Sequence, residues 1–156
     1  MSTDSGQQTI GDELGTLRGP VAWTLLALTG VLLVIPTVGL LLPGDEPGVD
    51  TLPQRALVAA GALGSFPLLL MPVLAVLLAR GTGSLRQVGR VAAVEYGVIV
   101  LLGLVTVGIV AANMAAIGQY DGIAHDVYLF TLTHLVQAAV AVVGLVVTLR
   151  LSRPQQ

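Results

Sequence analysis

The sequence predicts an all-α integral membrane protein with four transmembrane helices, arranged as an up-down-up-down antiparallel bundle with both termini in the cytoplasm. Of its 156 residues, 54% are apolar and 10% are charged, whereas an ordinary soluble domain has roughly 25% charged residues. The mean hydropathy of +0.89 is likewise too high for a surface that faces water. The apolar residues fall into four runs, and each run reaches the roughly 20 residues that a helix needs to cross a bilayer.

The composition also excludes several classes of function. The chain has no Cys, which excludes disulfides, thiolate catalysis and Cys-type zinc or iron–sulfur sites. A net charge of -2 does not suit nucleic-acid binding. The sequence contains no HExxH, GxSxG or nucleotide-loop motif. We therefore expect no enzyme activity, no cofactor, no metal site and no nucleic-acid partner.

The first element is a polar segment, residues 1–19, followed by the first predicted span, residues 20–42. We expect the polar segment to be a cytoplasmic tail, either disordered or folded as a short amphipathic helix, since Ile10, Leu14 and Leu17 recur at helical spacing. The apolar run of the span is about twice as long as the core of a secretory signal. It therefore predicts a retained anchor rather than a cleaved signal.

The second predicted span covers residues 56–79 and combines a small-residue face with two prolines. Small residues every four positions let another helix approach closely. The residues of this candidate packing face are Ala56, Ala60 and Gly64. Pro67 and Pro72 each remove a backbone hydrogen bond, so we expect a kink near the middle of this span.

The third predicted span, residues 91–118, carries three polar residues on one face. Glu95, Thr106 and Asn113 are separated by 11 and 7 residues, close to whole numbers of helical turns. Polar side chains inside a membrane normally face the interior of the bundle. The spacing fits either a functional polar seam or hydrogen bonding that simply holds helices together.

Glu95 is the one formal charge within the four predicted spans. It follows Arg90 by about 7 Å along a helix, which places it toward the cytoplasmic interface rather than the bilayer centre. We therefore expect an interfacial ion pair with Arg90 or with Arg150 at the inner end of span four. A membrane-embedded proton or cation site is the alternative interpretation.

The fourth predicted span, residues 127–149, carries Thr133, His134 and Gln137. Residues three or four apart share one side of a helix, so His134 and Gln137 lie together, as do Thr133 and Gln137. In an antiparallel pair these residues reach the depth of the polar residues in span three. We expect a buried polar cluster between spans three and four, formed by Thr106, Asn113, His134 and Gln137.

The orientation follows from the arginines. Six of the seven lie in segments that share one side of the predicted bundle: residues 1–19, the link between spans two and three, and the short tail 150–156. The two opposite links are acidic, and the positive-inside rule therefore places both termini in the cytoplasm. Trp23, Tyr96 and Tyr128 lie near span ends, where aromatic residues often anchor helices at the membrane surface.

The function that the sequence favours is non-catalytic. We expect a small membrane protein that acts through the bilayer and other membrane protein subunits or copies of itself, as an accessory subunit, a regulator or a homo-oligomer. The alternative is a subunit of an oligomeric small-molecule or ion transporter that uses a polar seam between spans three and four. The abundance of Ala, Gly, Val and Leu, with Arg as the sole basic type besides His, is typical of a GC-rich bacterial genome and so suggests a bacterial cytoplasmic membrane.

Overall fold

The chain is helical throughout the residues that the computed structural model describes, which are 5–42, 51–117 and 123–153, and it has no strand there. The helices in order are α1 (Ser5–Leu41), α2 (Leu52–Leu63), α3 (Phe66–Leu78), α4 (Leu85–Ile117) and α5 (Ile123–Leu151). Three apolar stretches are long enough to cross a membrane, namely Gly15–Leu41, Leu85–Asn113 and Thr131–Leu151, and α2 with α3 would supply a fourth. The prediction of an all-helical protein with several potential membrane spans is confirmed.

The kink predicted in span two is confirmed and is a complete break. The axes of α2 and α3 are bent by 40°, and Ser65 between them is extended, with φ -64° and ψ 139°. In a continuous helix the ring of Pro67 would collide with the carbonyl group of Leu63, and its nitrogen could not donate a hydrogen bond. The chain therefore ends one helix at Leu63 and starts the next with Pro67 in its first turn, where the missing N–H group costs little.

All four predicted spans begin earlier in the structure: α2 and α5 each start four residues early, at Leu52 and Ile123, and the differences are larger for α1 and α4. The first starts at Ser5 and continues through Pro20 and Pro36, so residues 5–19 are helical rather than irregular. Extending a helix that has already nucleated costs little, and this continuation suits the helical spacing of the apolar residues in that segment. Similarly, α4 starts at Leu85 rather than residue 91, because the apolar side chains of its first turns pack against the bundle.

The core consists of three apolar clusters spaced along the bundle, with α4 in contact with every other helix. The cluster at the start of α4 contains Ala22, Leu26, Ala75, Val76, Ala79, Val88 and Ala92. The middle cluster contains Leu33, Leu63, Leu68, Tyr96, Ile99 and Ala141. The cluster toward the end of α4 contains Leu40, Ala56, Ala59 and Val110. The many alanines let the helices approach closely, as is typical of helix contacts within membranes.

The outward faces of the long helices are strongly apolar. Val31 of α1 and Val143 of α5, for example, are each 62% exposed. Side chains of this kind suit contact with hydrocarbon, and a helix suits it too because its backbone polar groups are paired internally. The apolar exterior therefore agrees with a multi-pass membrane protein.

Candidate functional site

Glu95 lies inside the bundle. Its side chain is 8% exposed and faces α1, where a Cβ atom added to Gly30 would lie 3.9 Å from its Oε1 atom. Its Oε2 atom is buried and has no hydrogen-bond partner among the described residues. The ion pair predicted with Arg90 or Arg150 is not formed in that part of the chain, because the carboxylate turns toward α1.

Glu95 lies well within the apolar stretch of α4. The third apolar stretch runs from Leu85 to Asn113, so Glu95 lies nearer to its middle than to its start. Gly30 is likewise close to the middle of the first apolar stretch, Gly15–Leu41.

Thr106 and Asn113 are hydrogen bonded to their own helix. Thr106 is fully buried, and its hydroxyl donates to the carbonyl oxygen of Gly103 at 2.8 Å. The side-chain amide of Asn113 donates to the carbonyl oxygen of Ile109, also at 2.8 Å. Back-bonding of this kind is common for such side chains in helices. These two donors are therefore satisfied locally, without a neighbouring span.

His134 and Gln137 lie together beside the break in span two. Both are half-buried and line a small cavity of about 20 Å³, which has room for roughly one water molecule. The other lining residues are Ala60, Leu63, Gly64, Leu69, Ile99, Gly103 and Ala138. Thr106 and Asn113 are not among these lining residues, whereas Ile99 and Gly103 of α4 are, so the polar pair of α5 lies beside both the small-residue face of span two and α4.

Thr133 points away from this cavity. It is exposed, and its hydroxyl donates to the carbonyl oxygen of Leu129 at 2.8 Å. An exposed threonine on a membrane helix satisfies its donor in this way without a partner helix. Thr133 and Gln137 therefore do not act as one group, although they are four residues apart.

The candidate packing face of span two is buried as a unit. Ala56 and Ala60 are 0% exposed. The third member, Gly64, is in contact with the amide group of Gln137, and a Cβ atom added to Gly64 would overlap that group. The φ angle of Gly64 is -80°, which any residue can adopt. Glycine thus makes room here for the amide group of Gln137, and a larger residue would require that flexible side chain to move.

Gln137 has an incompletely satisfied amide. Its Oε1 atom is buried and has no hydrogen-bond partner among the described residues. Buried polar atoms usually have a partner, so this oxygen marks the cavity as the place where a small polar molecule can bind. Residues of α2, α3, α4 and α5 all line this cavity.

Tyr96 is a buried residue that the sequence analysis assigned to the membrane surface. It is 0% exposed, and its hydroxyl donates to the backbone carbonyl oxygen of Leu69 in α3. A Cβ atom added to Gly144 of α5 would lie 2.6 Å from its ring, so the ring lies directly against that glycine. The sequence feature that could have predicted its burial is the helical spacing of the apolar residues Leu85 and Val88. This spacing indicates that α4 begins before residue 91, so that Tyr96 does not lie close to the start of the helix.

The comparisons with known proteins do not assign the chain to a family. No protein-family model matches it, and no curated protein or solved structure matches it significantly. Within residues 5–42, 51–117 and 123–153, no group of three or more His, Asp or Glu side chains is placed to hold a metal ion.

Proposed function

We propose that the chain is a multi-pass membrane protein that acts without catalysis, by associating with other membrane helices through α5. The proposal is supported by the small share of α5 that the other helices of the bundle bury. The share of its apolar stretch buried inside the chain is 17%, against 28% for each of the stretches in α1 and α4. Its extensive helix contacts are with α3 and α4, so most of its circumference faces outward.

Association through such a face requires close packing, because lipid tails satisfy apolar side chains as well as a protein does. The outward face of α5 is built from Val136, Val140, Val143 and Val147. Branched valines have one preferred rotamer in a helix, so ordering them against a partner costs little entropy. A partner helix can therefore pack on this face at a small entropic cost.

The orientation that we propose places both termini in the cytoplasm of a bacterial cell. The arginines support it, because six of the seven fall on one side of a four-span chain. The core supports the up-down-up-down path: one cluster joins α1 at Ala22, the end of α3 at Val76 and the start of α4 at Val88. An up-down-up-down path through the bundle brings those three segments to the same end.

Cross-linking tests the association, and the absence of native Cys makes single-cysteine variants clean probes. We expect Val143→Cys in α5 to give a cross-linked product in native membranes with a short thiol-reactive bifunctional reagent. A product of about twice 16.0 kDa would identify a second copy as the partner, since a reagent with two identical arms can join two copies of the variant.

Val31→Cys in α1 is the matched control, because Val31 and Val143 have the same exposed fraction. A heterobifunctional reagent extends the test to partners that lack a thiol, and mass spectrometry then identifies the attached protein. Products that are equally abundant for both variants, or absent for both, would contradict a specific association through α5.

A second candidate function is supported by the cavity beside the broken span. A break in a membrane helix exposes backbone groups, and transporters use such breaks to bind substrates near mid-membrane. Here His134 and Gln137 are the two polar side chains that line a small, mostly apolar cavity beside the break. On this hypothesis the chain is a subunit of an oligomeric transporter, whose pathway includes the cavity.

Flux measurements separate the two candidates. If the cavity conducts, proteoliposomes of the purified protein will dissipate a pH or ion gradient, and Gln137→Leu will abolish that flux by removing the amide from the cavity. Thr133→Val serves as the control, because Thr133 lies on the same helix but outside the lining. Gradients that persist with the wild-type protein would exclude this candidate for the ions used.

A further inference from the structure

Glu95 is more than nine-tenths buried and keeps one oxygen without a hydrogen-bond partner among the described residues. Its other oxygen faces the backbone of α1 at Gly30, where no side chain intervenes. A carboxylate that is ionised in apolar surroundings needs a compensating positive charge, because its loss of hydration is otherwise very costly. An ionised Glu95 therefore needs a cation, either from the chain itself or from outside it.

Charged groups in the described part of the chain do not supply it. The charged or titratable side chains described on or next to the helices that pack against α4 are Arg18, Arg55, Arg80, Tyr128, His134, Arg150 and Arg153. None of them forms an ion pair with Glu95, and neither does Arg90 on the same helix. The adjacent Tyr96 turns its hydroxyl to the carbonyl oxygen of Leu69, so it does not donate to the carboxylate.

A metal cation does not fit this position either. Calcium and magnesium take six or more oxygen ligands, whereas Glu95 is not part of any group of three acidic or His side chains in the described part of the chain. A proton, in contrast, binds to one carboxylate oxygen of Glu95 and neutralises the negative charge of the side chain. The free Oε2 atom offers that oxygen.

We propose that Glu95 is a proton-binding site inside the bundle, which exchanges its proton at the contact between α1 and α4. Binding makes the side chain a neutral acid that packs against Gly30, and release creates a charge at the same contact. The site thus couples proton occupancy to the packing of α1 on α4. It does not depend on the association through α5 or on the cavity at Gln137.

Labelling with dicyclohexylcarbodiimide tests the site, because this apolar reagent dissolves in hydrocarbon and reacts with a protonated carboxyl group. The acid adds across one C=N bond: its oxygen bonds to the central carbon, and its proton moves to a nitrogen. The adduct rearranges to a stable acylurea without a leaving group or an oxidant. Peptide mass spectrometry of the full-length protein in liposomes then locates and quantifies the label.

We expect wild-type protein to be labelled at Glu95 at low pH. The rate should fall about tenfold for each unit of pH above the midpoint of the titration, because the protonated fraction falls by that factor. Glu95→Gln should lose this label. The pH profile is measured on the wild-type protein, so it remains informative even if the variant does not fold.

A second pair of variants tests whether the reagent reaches the carboxyl group of Glu95 beside Gly30. In Gly30→Leu the new side chain starts 3.9 Å from Oε1 and covers the carboxyl group, so most of the labelling should be lost. Gly39→Leu on the same helix is the control, since a Cβ atom there has nothing within 4 Å. Absence of label at Glu95 at every pH, a labelling rate that does not change with pH, or equal loss in the two glycine variants would each overturn the proposal.

Discussion

Replacing Tyr96 with Ala should lower the free energy of unfolding by about 3 to 5 kcal/mol, the range for deleting a buried aromatic ring. The ring is fully buried in the middle cluster and lies against Gly144. Its hydroxyl also holds the carbonyl oxygen of Leu69. The substitution therefore removes a contact that joins α3, α4 and α5 at once. Denaturant titration in mild detergent, followed by tryptophan fluorescence, measures the change.

One further variant separates the contribution of the ring from that of the hydroxyl, and a second variant is the control. Tyr96→Phe keeps the ring and leaves the Leu69 carbonyl without this donor, which should cost about 1 to 3 kcal/mol. Tyr128→Ala is the matched control, because Tyr128 is 64% exposed and its removal leaves no cavity. If Tyr96→Ala were no more destabilising than Tyr128→Ala, the central position of Tyr96 in the bundle would be wrong.

Replacing Gly64 with Ala should destabilise the protein by about 1 kcal/mol, the low end of the range for an inserted methyl group, because the overlapped atoms are the end of a flexible side chain. The new Cβ atom would overlap the amide group of Gln137, so that side chain must leave its position beside the break. Thermal unfolding in detergent measures the loss. The backbone at Gly64 is not strained by alanine, so the effect reports on the contact alone.

A double-mutant cycle makes this prediction specific. Gln137→Ala empties the space that the methyl group needs, so Gly64→Ala should cost much less in that background. Gly61→Ala is the control within α2, since a Cβ atom there has nothing within 4 Å. Equal effects at Gly61 and Gly64, or strictly additive effects in the cycle, would rule out the contact with Gln137.

The helices could be predicted because the information for them is local. A run of apolar residues of bilayer length forces internal pairing of the backbone, and the ring of Pro67 determines where span two must break. The early start of α4 was missed because Arg86 and Arg90 interrupt the apolar pattern. Long arginine side chains can extend toward water while their helix continues into the bundle, and Leu85 and Val88 then pack inside.

The candidate site could be predicted only in part, because periodicity shows which residues share a face and not which neighbour that face meets. Thr106 and Asn113 share the face of Glu95 in sequence, yet their side chains bond to their own backbone. His134 and Gln137, which share a face by their spacing, both line the cavity beside the break. That Gln137 contacts Gly64, and that Glu95 opposes Gly30, depends on the rotation of helices about their axes, which a single sequence does not specify.

The break in span two also determines how the bundle is made. The two halves contain 12 and 13 residues, and at 1.5 Å per residue each is about 20 Å long, too short to cross a hydrocarbon core of about 30 Å. Neither half is long enough to cross a bilayer alone, and only the bent pair together reaches the length of a span. Gln137 is synthesised well after both halves. The contact that fills the angle between them therefore forms late in biogenesis, once α5 has entered the membrane.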